Sequence, residues 1–242
     1  MIYLSEKIRL QIIYFIMEEN DMFTSFCKKV TALFLISTLV FTFATGCSKQ
    51  YAKGTAEETS ISTAKPAEIT EVTGTPQVQF EMENGDKMVF ELYPEFAHDT
   101  VLNFVNLANS GFYDGLTFHR IMKDFMVQSG DPKGDGTGGS EKTIKGEFSE
   151  NGFDKNTLLH TRGVISMARS QDPNSASSQF FIIHGDAPFL DGKYAAFGKI
   201  ISGEDTLDKI AATPVTVSDS NPNEISKPTE VVKIKSVTLL DK

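Results

Sequence analysis

Residues 77–92 read QVQFEMENGDKMVFEL. Val78, Phe80 and Met82 alternate with polar neighbours, and so do Met88, Phe90 and Leu92; a period of two places one face of an extended strand against a core. Between the two runs stands Asn84-Gly85, a pair that supplies the positive-φ residues of a two-residue hairpin turn. A β-hairpin is therefore expected, with the globular pattern beginning near Pro76. Downstream, Val101, Leu102, Phe104, Val105, Leu107 and Ala108 recur at helical spacing, and Gly111 follows as a C-terminal stop. Apolar runs then return over residues 117–121, 125–128, 164–168, 179–183, 194–200 and 231–240, separated by Gly-rich or polar connections. Short strands with frequent turns indicate a barrel or sandwich. A second helix is expected at residues 204–211, with Leu207, Ile210 and Ala211 on one face.

The rest of the composition narrows the function classes. A formal net charge of -9 argues against a nucleic-acid partner, which would call for clustered Lys and Arg to neutralise phosphates. Both cysteines, Cys27 and Cys47, precede the globular pattern, so no disulfide staples the folded domain. His98, His119, His160 and His184 are scattered without ligand spacing, and neither CxxC nor HExxH occurs; no metal and no cofactor are expected. Residues 134–139, GDGTGG, lack the GK[ST] that closes a phosphate loop, and the twelfth position from Asp131 is Lys142 rather than the Glu of a calcium loop. A structural loop is the better reading.

Residues 30–43, VTALFLISTLVFTF, are uncharged, follow Lys28-Lys29, and fall short of the roughly 20 residues of a membrane span. They read as a signal-peptide core. Ala44-Thr45-Gly46-Cys47 then resembles a bacterial lipobox, with Cys47 as the lipidated residue, although a lipobox normally has Leu where Ala44 stands. The alternative is an uncleaved signal anchor; either way the domain lies outside the cytoplasm, tethered to the membrane. Residues before Met22 add a second apolar patch and an acidic run; translation from Met22 and a long n-region are both open. From Ser48 to Thr75 the chain is rich in Thr, Ser, Ala, Glu and Lys, too polar to offset chain entropy by burial. The expected organisation is a leader over residues 1–46, a lipid anchor and flexible linker over 47–75, and a folded domain over 76–242.

Three clusters carry the chemistry. The first is Thr117-Phe118-His119-Arg120-Ile121 with residues 124–131, DFMVQSGD; the second is Gly163 to Ala168, GVISMA; the third is SQFFII at 178–183 followed by FLDGKYAAFGK at 189–199. In this order and with these gaps, FHR, FMxQxGD, SMA, SQFFI, LDGK and FGK resemble the cyclophilins, and the resemblance spans Pro76 to the C-terminus. It implies an eight-stranded antiparallel β-barrel capped by two α-helices, mainly β, with the active groove on an outer face. Eight strands leave a lumen that side chains fill.

The implied activity is peptidyl-prolyl cis-trans isomerisation. Twisting an X-Pro bond breaks no covalent bond, but amide resonance sets a barrier of roughly 18–20 kcal/mol. In the twisted state the prolyl nitrogen regains its lone pair, so a fixed charged donor beside it favours that state over the planar one. Arg120 matches the family donor, and a guanidinium suits the task because it stays charged and presents its donors in a rigid fork. Phe125 and Gln128 complete the implied catalytic set. Phe125, Met126, Phe181 and Leu190 match the proline pocket. Strand alternation sends one ring of Phe180-Phe181 inward and the other outward; the family match assigns Phe181 to the groove. Gln128 and Gln179 match positions that contact the peptide backbone, Ala168, Arg169 and Ser170 offer main-chain groups, and Gly136 allows a loop to approach the substrate. Proline-containing peptides and unfolded secreted proteins are the implied partners of a monomer.

Three departures from the family pattern bear on specificity. Phe189 stands where well-known cyclophilins carry Trp, so the indole N–H that helps hold cyclosporin is missing and weak inhibition is expected. Tyr194 replaces the usual His, and Arg169-Ser170 replaces the common Asn-Ala. Two other classes compete. A non-catalytic proline-peptide binding or chaperone module would use the same groove, but binding alone has no need of Arg120. A serine hydrolase lacks a G-x-S-x-G or another persuasive nucleophile setting.

Overall fold

Period-two burial carries through the first hairpin. In the computed structural model, which describes residues 66–240, β1 (Gln77–Met82) and β2 (Lys87–Leu92) bury Val78, Phe80, Met82, Met88, Phe90 and Leu92. The leader, Cys47 and the linker through residue 65 lie outside the described residues. The turn differs from the two-residue form expected. Gly85 alone has positive φ (88°), its N–H donates to Met82 O, and Met82 N–H donates to Asp86 O. This is a three-residue connection closed by a glycine bulge. Asn84 keeps negative φ because its side-chain oxygen accepts from Asp86 N–H, a local bond that satisfies the turn another way.

Helix α1 (His98–Asn109) follows. Its N-terminus has no capping side chain of its own; instead the buried Glu147 carboxylate accepts from Asp99 N–H, Thr100 N–H and Thr100 Oγ, filling orphan donors from a distance. Gly111, with φ of 72°, ends it as expected. The remaining elements are β3 (Arg120–Met122), β4 (Met126–Ser129), β5 (Val164–Met167), β6 (Phe180–Ile183), β7 (Ala196–Ser202), α2 (Glu204–Ala211), β8 (Val215–Val217), β9 (Ile225–Pro228) and β10 (Ile234–Leu240).

Eight strands form one antiparallel sheet in the order β10-β1-β2-β7-β5-β6-β4-β3. The sheet curls until its ends meet. Thr117 bridges Lys233, Gly115 and Phe118 N–H donate to Ile234 O and Val232 O, and Ile234 N–H donates to Leu116 O. The expected architecture is thus present, drawn together at a seam formed by the residues just before β3 and β10. Its interior is filled by aromatic rings: Phe180 meets Phe80, Phe104 and Tyr113 edge-on at 5.5–5.6 Å between centroids. β8 and β9 form a separate two-stranded hairpin in a segment with no helical or alternating signature.

Candidate active site

One row of residues crosses four strands. The register pairs Arg120 of β3 with Gln128 of β4, Gln128 with Phe181 of β6, and Phe181 with Ser166 of β5. Alternation puts their neighbours on the other face: Ile121, Val127, Phe180, Ile165 and Met167 belong to the barrel core, while Met126, Phe181, Ile183 and Val164 form a second cluster outside it with Ala187, Leu190 and Ala196. The site therefore lies on the outer face of the sheet. Residues far apart in sequence converge because the register aligns them.

The polar side of this row is a chain of hydrogen bonds running one way. Arg120 Nη1 donates to Gln128 Oε1 at 3.2 Å, Gln128 Nε2 donates to Gln179 Oε1 at 2.9 Å, and Gln179 Nε2 donates to Gly136 O and Gly138 O at 3.0 and 2.7 Å. Arginine has donors only, so it fixes the orientation of both amides. Gly136 is brought to this chain by Asp131. That buried carboxylate accepts from the backbone N–H of Lys133, Asp135 and Gly136 and folds the Gly-rich loop upon itself.

Beside the chain lies a cavity of about 150 Å³ lined by Arg120, Phe125, Met126, Gln128, Ala168, Arg169, Phe181, Leu190 and Tyr194. Drug-sized ligands occupy roughly 300–1,000 Å³, so this one suits a single small ring. Phe181 is 5% and Leu190 8% exposed, giving the cavity a dry floor. The Tyr194 ring meets Phe181 edge-on at 5.7 Å, and the Arg169 guanidinium lies over both Tyr194 and Phe148 at 4.6 and 5.1 Å. Phe189 sits at the rim, its ring 5.5 Å from that of Phe125. Ser170 stands apart from the cavity on an exposed turn, where it bonds Ser175. A depression of about 820 Å³ between residues 66–68, α1 and residues 140–145 is larger, but it includes none of Arg120, Gln128 and Phe181.

Comparison with known proteins assigns this arrangement to a family. The profile of the cyclophilin type peptidyl-prolyl cis-trans isomerase/CLD family matches residues 77–239. The chain belongs to the cyclophilin-type peptidyl-prolyl cis-trans isomerases. Peptidyl-prolyl cis-trans isomerase B of Bacillus subtilis is 49% identical over 124 residues, which cover 51% of this chain and 82% of that protein. Peptidyl-prolyl cis-trans isomerase-like 3 of Homo sapiens is 41% identical over 149 residues, covering 62% and 87%. A Cryptosporidium parvum cyclophilin crystallised in the presence of the dipeptide Ala-Pro superposes with a TM-score of 0.60 at 32% identity, covering 69% of this chain and 99% of that one.

Two features of this cyclophilin escape sequence reading. The first is a buried brace behind the pocket. His160 is 1% exposed; its Nδ1 and its backbone N–H both bond Asp191 Oδ1, and its Nε2 bonds Ser166 Oγ at 3.0 Å. The ring stacks on Phe181, 6.1 Å between centroids and 17° between planes. Asp, His and Ser are thus linked in the manner of a hydrolase triad, yet Ser166 has no exposed surface, so no carbonyl can reach its Oγ. Burial lowers the His160 pKa against the opposing pull of Asp191. The ring is a neutral strut that supports the pocket floor.

The second is Glu224, 104 residues along the chain from Arg120. Its two oxygens accept from Arg120 Nε at 2.7 Å and Nη2 at 2.8 Å. This paired guanidinium, aided by Ser226 Oγ, holds the Glu224 carboxyl down at about 2 although partial burial opposes it. Glu224 lies in the β8–β9 connection, and nothing in its neighbourhood of Asn, Pro, Ser and Glu distinguishes it from a solvated loop residue.

Proposed function

We propose that this isomerase assists the folding of extracytoplasmic proteins, as a lipid-anchored monomer that takes proline-containing segments into the outer groove. Phe125, Met126, Phe181 and Leu190 would hold the pyrrolidine ring, and the Gln128–Gln179 pair with Ala168 and Arg169 would hold the peptide backbone. Arg120 Nη1 would then donate to the prolyl nitrogen as it becomes pyramidal. The observation that carries this reading is the place of Nη1, bonded to Gln128 and near Met126 Sδ at 3.7 Å, where apolar floor and charged donor meet. Because the donor is preorganised and half-shielded, it would favour the twisted state without reorganising at the moment of reaction. The Ala-Pro dipeptide used with the Cryptosporidium relative is the ligand chemistry this cavity would take.

The leader-like run at residues 30–43 and the lipobox-like Ala44-Thr45-Gly46-Cys47 support the location. Mass spectrometry of the membrane-bound protein would show diacylglyceryl and acyl additions on Cys47; an intact leader would replace the lipid anchor by a signal anchor. The mechanism is tested by the isomerisation rate of a short X-Pro peptide with the soluble chain from Ser48 onward, beside Arg120→Ala. We expect at least a tenfold fall, about 1.4 kcal/mol of transition-state stabilisation. A folded protein with no acceleration would be a binding or chaperone module.

A further inference from the structure

Arg120 is held on two edges, and the two differ in kind. On one edge, Nε and Nη2 face the Glu224 carboxylate in a side-on fork at 2.7 and 2.8 Å, and Nη2 also meets Met122 Sδ at 3.2 Å. On the other, Nη1 has an amide oxygen at 3.2 Å and a thioether sulfur at 3.7 Å. A carboxylate fork is strong and directional, whereas a long amide bond and a sulfur are weak acceptors. One edge is therefore anchored, and the other is left to a substrate.

The segment that supplies the carboxylate is built to fix it. Glu224 N–H donates to Asn221 O, Ser218 N–H donates to Glu224 O, and Asn223 N–H donates to the Asn221 side chain. Ser226 Oγ, in a residue only 2% exposed, donates to Glu224 Oε1 at 2.6 Å. The acid is tied through its backbone on both sides and through its carboxylate. Its side chain is 18% exposed and that of Arg120 31%, so water competes only partly for the fork.

We propose that Glu224 is a positioning residue for the isomerase reaction: by holding the Nε and Nη2 edge of Arg120, it selects Nη1 as the donor to the prolyl nitrogen. The β8–β9 hairpin thereby becomes part of the active site without touching substrate. This rests on the reading of Arg120 as the donor. A guanidinium on a long stem has many rotamers, and a donor misplaced by about 1 Å can lose a hundredfold in rate; the fork removes that freedom before substrate arrives.

The test compares Glu224→Gln, Glu224→Ala and Arg120→Ala in the soluble chain, with kcat and KM measured by exchange spectroscopy on one X-Pro peptide and melting followed in parallel. The Gln variant keeps the shape of the side chain but turns one acceptor into a donor facing another donor. We expect kcat to fall roughly ten- to a hundredfold, KM to change less than about twofold, and the melting temperature to stay near that of the parent. The Arg120 Nε–H resonance should lose its protection and shift in both Glu224 variants. If Arg120→Ala is slow and Glu224→Gln is as fast as the parent or faster, the positioning role is overturned while the donor reading stands. If Arg120→Ala is itself as fast as the parent, the donor reading fails. Should Glu224→Ala melt early, the Gln variant still decides the matter.

Discussion

Phe189 is 60% exposed, and its ring leans on Phe125 at the rim of the pocket. It keeps the apolar contact that an aromatic residue makes there but has no ring N–H. A cyclic peptide that uses that donor loses one hydrogen bond and leaves its acceptor unpaired, a penalty of about 1–3 kcal/mol. Cyclosporin should therefore inhibit the purified enzyme weakly, and Phe189→Trp should tighten inhibition by about tenfold or more with little change in isomerase rate. Titration of the rate with inhibitor measures both; nanomolar inhibition of the parent would show that the donor is dispensable here. The same residue scale explains Tyr194. Its ring closes the pocket beside Phe181 and carries the Arg169 guanidinium, so the departures at positions 169 and 194 are packed against each other.

At the scale of elements, β4 and β6 showed only as short apolar runs, whereas alternation made β1 and β2 legible, because each buries every second residue in the barrel core. Helices α1 and α2 were legible for the same reason at period 3.6. The hairpin β8–β9 was not: Val217 and Ile225 are exposed, so no buried face marks it in the sequence, and Glu224 went unread with it. The three-residue turn at Asn84-Gly85 was misread because one side-chain bond, Asn84 to Asp86 N–H, settles it. Most of the groove was carried by the motif resemblance, and strand register brings its members together. The His160 brace was hidden because Asp191, His160 and Ser166 belong to a turn, a loop and β5. It has a thermodynamic signature. Burial lowers the folded-state pKa of His160, and of His119 in the same direction, below the unfolded value of about 6.5. The unfolded chain then binds more protons, so the stability due to these rings is complete above that value and is lost as pH falls. The melting temperature should drop between about pH 7 and 5, before Glu224, with a carboxyl at about 2, begins to protonate. His160→Asn should be less stable at neutral pH and show a shallower slope; an unchanged slope would assign the loss elsewhere.

For the molecule as a whole, the folded unit reaches upstream of the hairpin that opens its sheet. Residues 66–75, expected as the end of the linker, run along α1. The Asn106 side-chain amide donates to Ile69 O and accepts from Ile69 N–H, both at 2.8 Å, and Asn109 Nδ2 donates to Ala67 O. Val72 is 9% exposed and belongs to the barrel core, with Ile69 packed against it. Because the segment is ordered against α1, the burial of Val72 and the three amide bonds offset the conformational entropy of fixing it. None of these residues lines the groove. A chain beginning at Pro76 should then melt below one beginning at Pro66 by roughly 4–8 °C, since about 2 kcal/mol moves a domain of this size by that much, with the same isomerisation rate per folded molecule. Asn106→Ala in the longer chain should reproduce part of that loss. Equal melting temperatures would mean that the entropy of ordering cancels the contacts. Under the proposed anchoring at Cys47, the distinction would set how much chain could separate the groove from a membrane.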